Sequence, residues 1–424
     1  MRLASETKSY FLRIKSFSLN ARLFVVSSAL QGVGLGIWGV IFYLYLNLGE
    51  VGFAPDFIGN MFSVGAIATG LIALPAGLLC ERIGTKRAIL VSLAANLFNI
   101  VQTFVLQPSI LLIASLVSGL IATLGWVASA PFMVEDTTPH ERTFLFSMNF
   151  ATWTITGVVG SLLGGVMPDL FNSAMGLATG AVAGSAVGYR ITLVLASVAS
   201  AAAVVPILLI KANHNGPRQE MKALLSFRNI KSWSTIIKFM IPVAIVGLGA
   251  GFIIPLFNVF FKLRYSASSE MIGTIFALGN VTVGIASLAG PLLSERLGKL
   301  RAIVATQFLS MPFIMLVTVS PNLALSAGAY LARGTLMQMN MPLESAFQME
   351  MVTESERATT SGVMTMADNI PRAVSSSISG GMMSGNDFYT PFLITTMAYF
   401  ASSSLFYVLF RKAKTEPLES LRTV

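Results

Sequence analysis

The chain is 424 residues long, 54% hydrophobic and only 11% charged, with a formal net charge of +9. Ordinary globular domains carry ~25% charged residues, so a string of soluble domains is excluded: charges this sparse cannot cover a water-exposed surface. Leu23–Gly49 and the 47 residues from Ala88 to Val134 hold no Asp, Glu, Lys or Arg. One bilayer crossing takes ~20 apolar residues, so the second stretch holds two helices, and the chain reads as a polytopic helical membrane protein.

In chain order, a basic tail (1–22) comes first. Its stretch from Tyr10 to Phe24 mixes Phe11, Ile14 and Phe17 with Arg13, Lys15 and Arg22. That pattern predicts an interfacial helix, with a regulatory or partner site as the lesser reading. The apolar run that follows is too long for the core of a cleavable signal, and none is expected. Twelve spans are predicted near 23–48, 56–80, 87–107, 109–134, 143–168, 187–210, 235–261, 270–293, 302–320, 322–345, 359–382 and 390–410. Lipid offers no partner for backbone N–H and C=O groups, so these spans are helices. The longest polar segment, Lys211 to Lys238, divides the chain. This predicts a six-helix bundle over 23–210, a cytoplasmic central loop over 211–234, a second bundle over 235–410 and a cytoplasmic C-terminal tail over 411–424.

With the N-terminus inside, 23 of the 28 Lys and Arg fall in cytoplasmic segments and three (Arg190, Lys262, Arg264) outside. The excess of positive charge on one side places both ends in the cytoplasm of a bacterial-type plasma membrane. The basic balance is thus a topology signal with lipid contact as a by-product, and no nucleic-acid partner is expected. Cys80 is the single cysteine, and His140 and His214 fall in polar loops, so no metal or other cofactor is expected. The spans hold no histidine and no paired carboxylates, which argues against an enzyme. No phosphate-binding loop of the G-x-x-x-x-G-K-[ST] type occurs, which argues against ATP hydrolysis.

The chain repeats itself. Residues 78–89, LLCERIGTKRAI, match 292–303, LLSERLGKLRAI, at eight of twelve positions with an offset of 214. At that offset Ile58-Gly59 matches Ile272-Gly273, and Gly65 and Gly70 match Gly279 and Gly284. After the fourth and tenth spans come EDTTPHER (135–142) and EMVTESER (350–357), each placing Glu seven residues before Arg. A six-span unit re-enters the bilayer in the same orientation, so two copies form parallel bundles with a cavity between them.

Gly77 to Arg87 resembles the signature G-x-L-x-D-R-x-G-x-K/R-K/R of the major facilitator superfamily, with Glu81 in place of the usual Asp; Pro291 to Arg301 is its degenerate second copy. The resemblance covers the whole chain. It implies an all-α fold of twelve transmembrane helices in two bundles related by a pseudo-two-fold axis. It also implies a cytoplasmic charge network that holds one conformation: Glu81, Arg82, Arg87, Glu135 and Arg142 in the first bundle, Glu295, Arg296, Glu350 and Arg357 in the second, with Gly84 and Gly298 at the tight turns. The alternative reading of these charges is as topology anchors and helix caps. Gly160-Ser161-Leu162-Leu163-Gly164-Gly165 in the fifth span resembles the family's antiporter motif, with Ser161 for proline; helix packing explains it equally well. Ser379-Gly380-Gly381 is its counterpart in span eleven.

Charges inside spans are costly and mark function. Arg333 lies mid-span in the tenth helix, Asp368 and Arg372 lie four apart on one face of the eleventh, and Glu344 is near the inner end of the tenth. By the resemblance these face the cavity, with Asp368 expected to pair with Arg333 or Arg372, leaving the other cation for substrate. A buried structural ion pair is the competing reading. Trp38, Trp126 and Trp153 sit mid-span and are candidates for an apolar half-cavity. Span four has no arginine before Gly119, only Ser115 and Ser118, unlike the family's proton-coupled drug exporters.

The resulting expectation is a monomeric secondary transporter moving a small organic or amphipathic solute by alternating access, as proton-coupled efflux if Asp368 or Glu344 titrates. The alternatives are organic-anion uptake or exchange on Arg333 and Arg372, a lipid or lysolipid flippase, and a non-transporting sensor.

Overall fold

The computed structural model describes residues 18–411 apart from 136–138, 181–183, 212–231, 288–292, 295, 340 and 354–355. The expected tail helix, the central loop and the C-terminal tail therefore lie outside the described residues, as does Glu295. So do the side chains of Glu81, Glu135 and Arg142.

Twelve helical spans follow one another, numbered here α1 (Leu19–Leu46), α2 (Pro55–Ile83), α3 (Thr85–Phe104), α4 (Pro108–Glu135), α5 (Pro139–Ala174), α6 (Ala186–Leu209), α7 (Trp233–Tyr265), α8 (Ser269–Ser287), α9 (Lys299–Val319), α10 (Leu323–Gln338 and Met341–Glu350), α11 (Arg357–Ser384) and α12 (Thr390–Phe410). Their starts carry the expected signals. Proline opens α2, α4 and α5, where a missing N–H costs nothing. The Ser18 hydroxyl and the Asn322 carbonyl oxygen accept from the backbone N–H groups of Ala21 and Leu325. Ten of these stretches are long and apolar enough to cross a membrane; α10 and α11, which carry the internal charges, are not among them.

Four spans expected as continuous are interrupted. The helix breaks at Ala94 in α3 and at Ala203 in α6, and a short 3-10 turn over Ile254–Leu256 divides α7. Pro255 explains the break in α7 by removing a backbone donor; α10 breaks just before Pro342. A second difference concerns charge. Lys262 and Arg264 were placed in an outer loop, yet they belong to the last turn of α7, and Lys262 is buried.

The duplication is visible in the backbone. Gly84 has φ 85° and ψ 149°, and Gly298 has φ 81° and ψ 152°, a left-handed region that L side chains avoid. Gly84 turns the chain directly from α2 into α3, and Gly298 precedes the first residue of α9 in the same way.

The buried apolar residues form three clusters. One lies at the end of the molecule away from the chain termini and unites both halves: Ile41 and Tyr45 of α1 and Tyr189 of α6 join Phe257, Phe260 and Phe261 of α7 and Phe392 of α12. Nearer the termini each half has its own core, around Phe24, Ile89 and Phe132 in the first and around Phe239, Phe347 and Phe410 in the second. The halves thus share one core at the far end and keep separate cores nearer the termini, where α2 and α11 still touch at Leu74 and Gly362.

Two flanking contacts hold the halves together, α2 with α11 and α5 with α8. At each, glycine lets backbones meet. A β-carbon at Gly59 would overlap the Ser376 carbonyl, and one at Gly380 would stand 2.5 Å from that of Pro55. On the other flank, a β-carbon at Gly273 would stand 2.5 Å from the Ser161 carbonyl, and one at Gly165 would stand 3.0 Å from that of Ser269. Gly59 and Gly273 are repeat-related, and so are Gly165 and Gly380.

Candidate functional site

The central feature of α11 is the Asp368–Arg372 pair. One helical turn separates the residues, so their side chains share a face. The guanidinium grips both carboxylate oxygens through its Nε/Nη2 edge: Nη2 donates to Oδ1 at 2.7 Å and to Oδ2 at 2.8 Å, and Nε donates to Oδ2 at 3.2 Å. The side chains are 31% (Asp368) and 18% (Arg372) exposed, so the pair faces an opening rather than a sealed core. Gly247 and Gly251 of α7 press against the Asp368 and Arg372 carbonyls, fixing the helix that presents it. Glu344, in the first turn of the second segment of α10, is half-buried and close enough for its carboxylate to interact with that of Asp368. Among the described residues no hydrogen bond reaches it.

Arg333 stands apart. It is 3% exposed and donates through Nη2 to the Tyr399 hydroxyl at 2.8 Å. Its guanidinium carbon lies 5.9 Å from the Phe257 ring centre and 5.7 Å from that of Tyr399. Among the described residues its Nε finds no hydrogen-bond partner and no carboxylate lies within ion-pair distance. Of the two arginines considered for Asp368, Arg372 makes the pair. Arg333 is enclosed by aromatic rings.

The first half offers a cavity of about 260 Å³. Trp38 and Phe42 of α1 form one wall, stacked with ring centres 4.2 Å apart. Asn99 and Gln102 of α3, Ser115 of α4 and Asn369 of α11 supply polar groups. Gln102 Nε2 donates to Ser115 Oγ at 3.3 Å, and Asn369 Nδ2 donates to the Thr365 carbonyl at 3.0 Å. Among the described residues no charged one lines this space. Trp126 and Trp153 lie outside it and meet edge-on, with ring centres 5.3 Å apart; Trp126 is largely exposed.

At the terminal end, Arg82, Arg87, Arg296 and Arg357 are exposed. Glu350 is held by Lys299, whose Nζ lies 2.5 and 2.6 Å from its two oxygens. Lys86 donates to the carbonyls of Leu208 and Ile210 at 3.1 and 2.6 Å, placing a cation on the negative end of the α6 dipole. At the far end, Lys262 Nζ donates to the Asn47 carbonyl at 2.6 Å, just past the end of α1, and Asn258 Nδ2 donates to the Val40 carbonyl at 3.3 Å. Both bonds cross between the halves. Sequence reasoning missed Lys262 and Lys299 as contacts because each was counted only as a topology charge. For Lys262 a signal existed: it is one of just three basic residues on a side otherwise almost free of them.

The sequence matches the Major Facilitator Superfamily over residues 24–239 and again over 239–423. The chain belongs to that family and is a multi-pass membrane transporter rather than an enzyme. No curated protein matches the sequence significantly. Among solved structures, the nucleoside transporter NupG superposes with a TM-score of 0.73 at 14% identity, covering 93% of this chain and all of that one. A bacterial homologue of the human lysosomal transporter Spinster, inward-facing and unoccupied, superposes with a TM-score of 0.73 at 13% identity, covering 94% of this chain and 98% of that one. These likenesses establish the fold.

Proposed function

We propose that this protein exports a small organic solute across the plasma membrane in exchange for protons, by alternating access within a single chain. The terminal end is the cytoplasmic one, a reading supported by the excess of Lys and Arg there. The described state is then open to the cytoplasm: the far end is sealed by the shared aromatic cluster and the Lys262 and Asn258 bonds, while the inner ends pack separately. Export is the direction suggested by the glycine run of α5, although Gly160, Gly164 and Gly165 also serve directly as contacts to α1 and α8.

The observation that carries coupling is the Glu344–Asp368–Arg372 cluster. The Arg372 guanidinium engages both oxygens of the Asp368 carboxylate, so its charge is committed to that pair. Glu344, beside that carboxylate and without a cation of its own among the described residues, is the group that takes up and releases the proton. Solute that disturbs the Arg372–Asp368 pair therefore changes the charge that Glu344 faces. Arg333, wrapped by Tyr399 and Phe257, does not present itself as an anion site, and organic-anion exchange is the weaker reading.

The test uses proteoliposomes enclosing a pH-sensitive dye, with cationic, neutral and anionic solutes offered under an imposed pH gradient. Solute-evoked proton movement is expected in the wild type and absent in Glu344→Gln, with Asp368→Asn also uncoupled. Solute flux in the wild type without proton movement would overturn the coupling. The sign of the pH change reports exchange or co-transport.

A further inference from the structure

The cavity in the first half has a chemistry that the charged cluster of the second half does not share. Its polar groups are three amides, the Tyr43 phenol and a few aliphatic hydroxyls, and among the described residues none is a carboxylate, an ammonium or a guanidinium. Gln102 is 3% exposed, and its one described bond, to Ser115, engages a donor and leaves the carbonyl oxygen for another partner. The Asn369 amide likewise spends one N–H on the Thr365 carbonyl and keeps its oxygen. Opposite these groups stands the stacked Trp38–Phe42 pair, a flat apolar wall. At about 260 Å³, the cavity falls just below the ~300 Å³ at which drug-sized pockets begin. An ion entering it would lose its hydration with no counter-charge to replace it.

We propose that this cavity is the recognition site for the transported solute, and that the solute is a small, neutral molecule with one flat ring and hydroxyl or amide groups. The ring lies against Trp38 while hydroxyl or amide hydrogens donate to Gln102 and Asn369. Asn369 is next to Asp368 in sequence, and one turn of α11 carries both the ligand contact and the carboxylate gripped by Arg372. Occupation of the cavity therefore bears on the helix that holds the coupling group. The inference rests on the transporter reading above and names its substrate class.

Purified full-length protein is titrated by calorimetry with uridine and phenyl β-D-glucoside as neutral ring solutes, and with uridine 5′-monophosphate and 5′-amino-5′-deoxyuridine as charged analogues. At least one neutral solute is expected to bind, with both charged analogues weaker by at least ~10-fold. Gln102→Leu and Asn369→Leu are expected to weaken neutral binding by ~10-fold or more, since a site built to hydrogen-bond a hydroxyl loses most when that bond is removed. A second measurement does not depend on those variants folding. In Cys80→Ala/Ser118→Cys, the new thiol on the cavity wall should react at least ~10-fold faster with neutral methyl methanethiosulfonate than with its charged ethyltrimethylammonium and ethylsulfonate counterparts, and bound neutral solute should protect it. Equal binding of charged and neutral analogues, unchanged affinity in both leucine variants, or equal labelling by all three reagents would overturn the assignment. Proton movement evoked by some other solute, with no neutral ring solute binding, overturns this inference and leaves the coupling standing. Neutral binding without any proton movement supports this inference and overturns the coupling.

Discussion

The two halves of this protein descend from one repeat and keep its frame while dividing its chemistry. Gly84 and Gly298 turn the chain with nearly the same dihedral angles, and repeat-related glycines make the contacts on both flanks. Yet the middle of the first half holds a neutral cavity beside Trp38, while the middle of the second holds Arg333, Asp368, Arg372 and Glu344. Duplication preserves what the backbone needs, because a left-handed turn or a backbone contact tolerates no side chain. It leaves the lining free to diverge, so one half can recognise solute while the other handles charge.

The sharpest way to break that division is to strand a charge in the second half. Arg372→Met leaves Asp368 without its cation. Removing one partner of a buried pair costs ~3–5 kcal/mol, and the partial exposure of this pair puts the expected loss at the lower end. Thermal unfolding in detergent should show a large drop, with Asp368→Asn/Arg372→Met recovering most of it; no recovery would mean that Arg372 acts through packing instead. Next come the flanks. Gly273→Val forces a side chain into the Ser161 carbonyl, and overpacking of this kind costs ~1–3 kcal/mol. The same change at Gly59 should cost a similar amount, and unequal losses would show that the two flanks are not mechanically alike. Gly84→Ala and Gly298→Ala each place a β-carbon at positive φ, for ~1–2 kcal/mol, and should lower thermal stability by matching steps.

Smaller effects sit at the surface. Lys299→Ala removes the ion pair with Glu350, whose side chain is 50% exposed, and should change stability by no more than ~1 kcal/mol; its effect on the accessibility of the cavity is the informative readout. The smallest is a pH effect between α11 and α12. Hydrogen bonds from the Thr390 side chain and backbone, with another from the Tyr389 N–H, hold the Asp387 carboxyl below its ordinary range. A depressed folded value means that the stabilisation is complete above the unfolded value of ~3.9 and fades as pH falls through the folded one. Asp387→Asn should therefore flatten a slight acid-side loss and do nothing at neutral pH.

Much of the fold is legible in the sequence because lipid imposes a coarse code. Apolar runs place the helices, and the charged loops at a constant offset reveal the duplication. The break at Ala94 was not legible, since no proline or glycine lies near it, whereas the one at Ala203 was marked by Pro206, which has no N–H to give the Ala202 carbonyl. Lys262 was misplaced because a span was closed at its first charge, whereas the ammonium is satisfied by a carbonyl 215 residues away. The Asp368–Arg372 pair follows from helical spacing alone. The link from Arg333 to Tyr399 joins two helices, and no local pattern encodes it. The cavity was hardest to foresee. Asn99 and Gln102 are unremarkable in any one span, and Ser115 and Ser118 registered only as the absence of an arginine. Their meaning comes from α3, α4 and α11 converging on Trp38.

The glycine contacts on the two flanks have a mechanical consequence. Interlocked side chains act like gear teeth: one helix moves past another only by lifting each knob from its hole. Where Gly59 meets Gly380 and Gly165 meets Gly273, backbone rests on backbone, with no knob to lift at those points. The two contacts lie on opposite sides of the molecule, related by the repeat, and together they form a plain bearing whose axle runs between them. In the proposed cycle each half would roll on that axle, and reversal would have to open the far-end seal and also release the Ser377–Asn60 hydrogen bond and the Leu74 side chain seated at Gly362 on the α2–α11 flank.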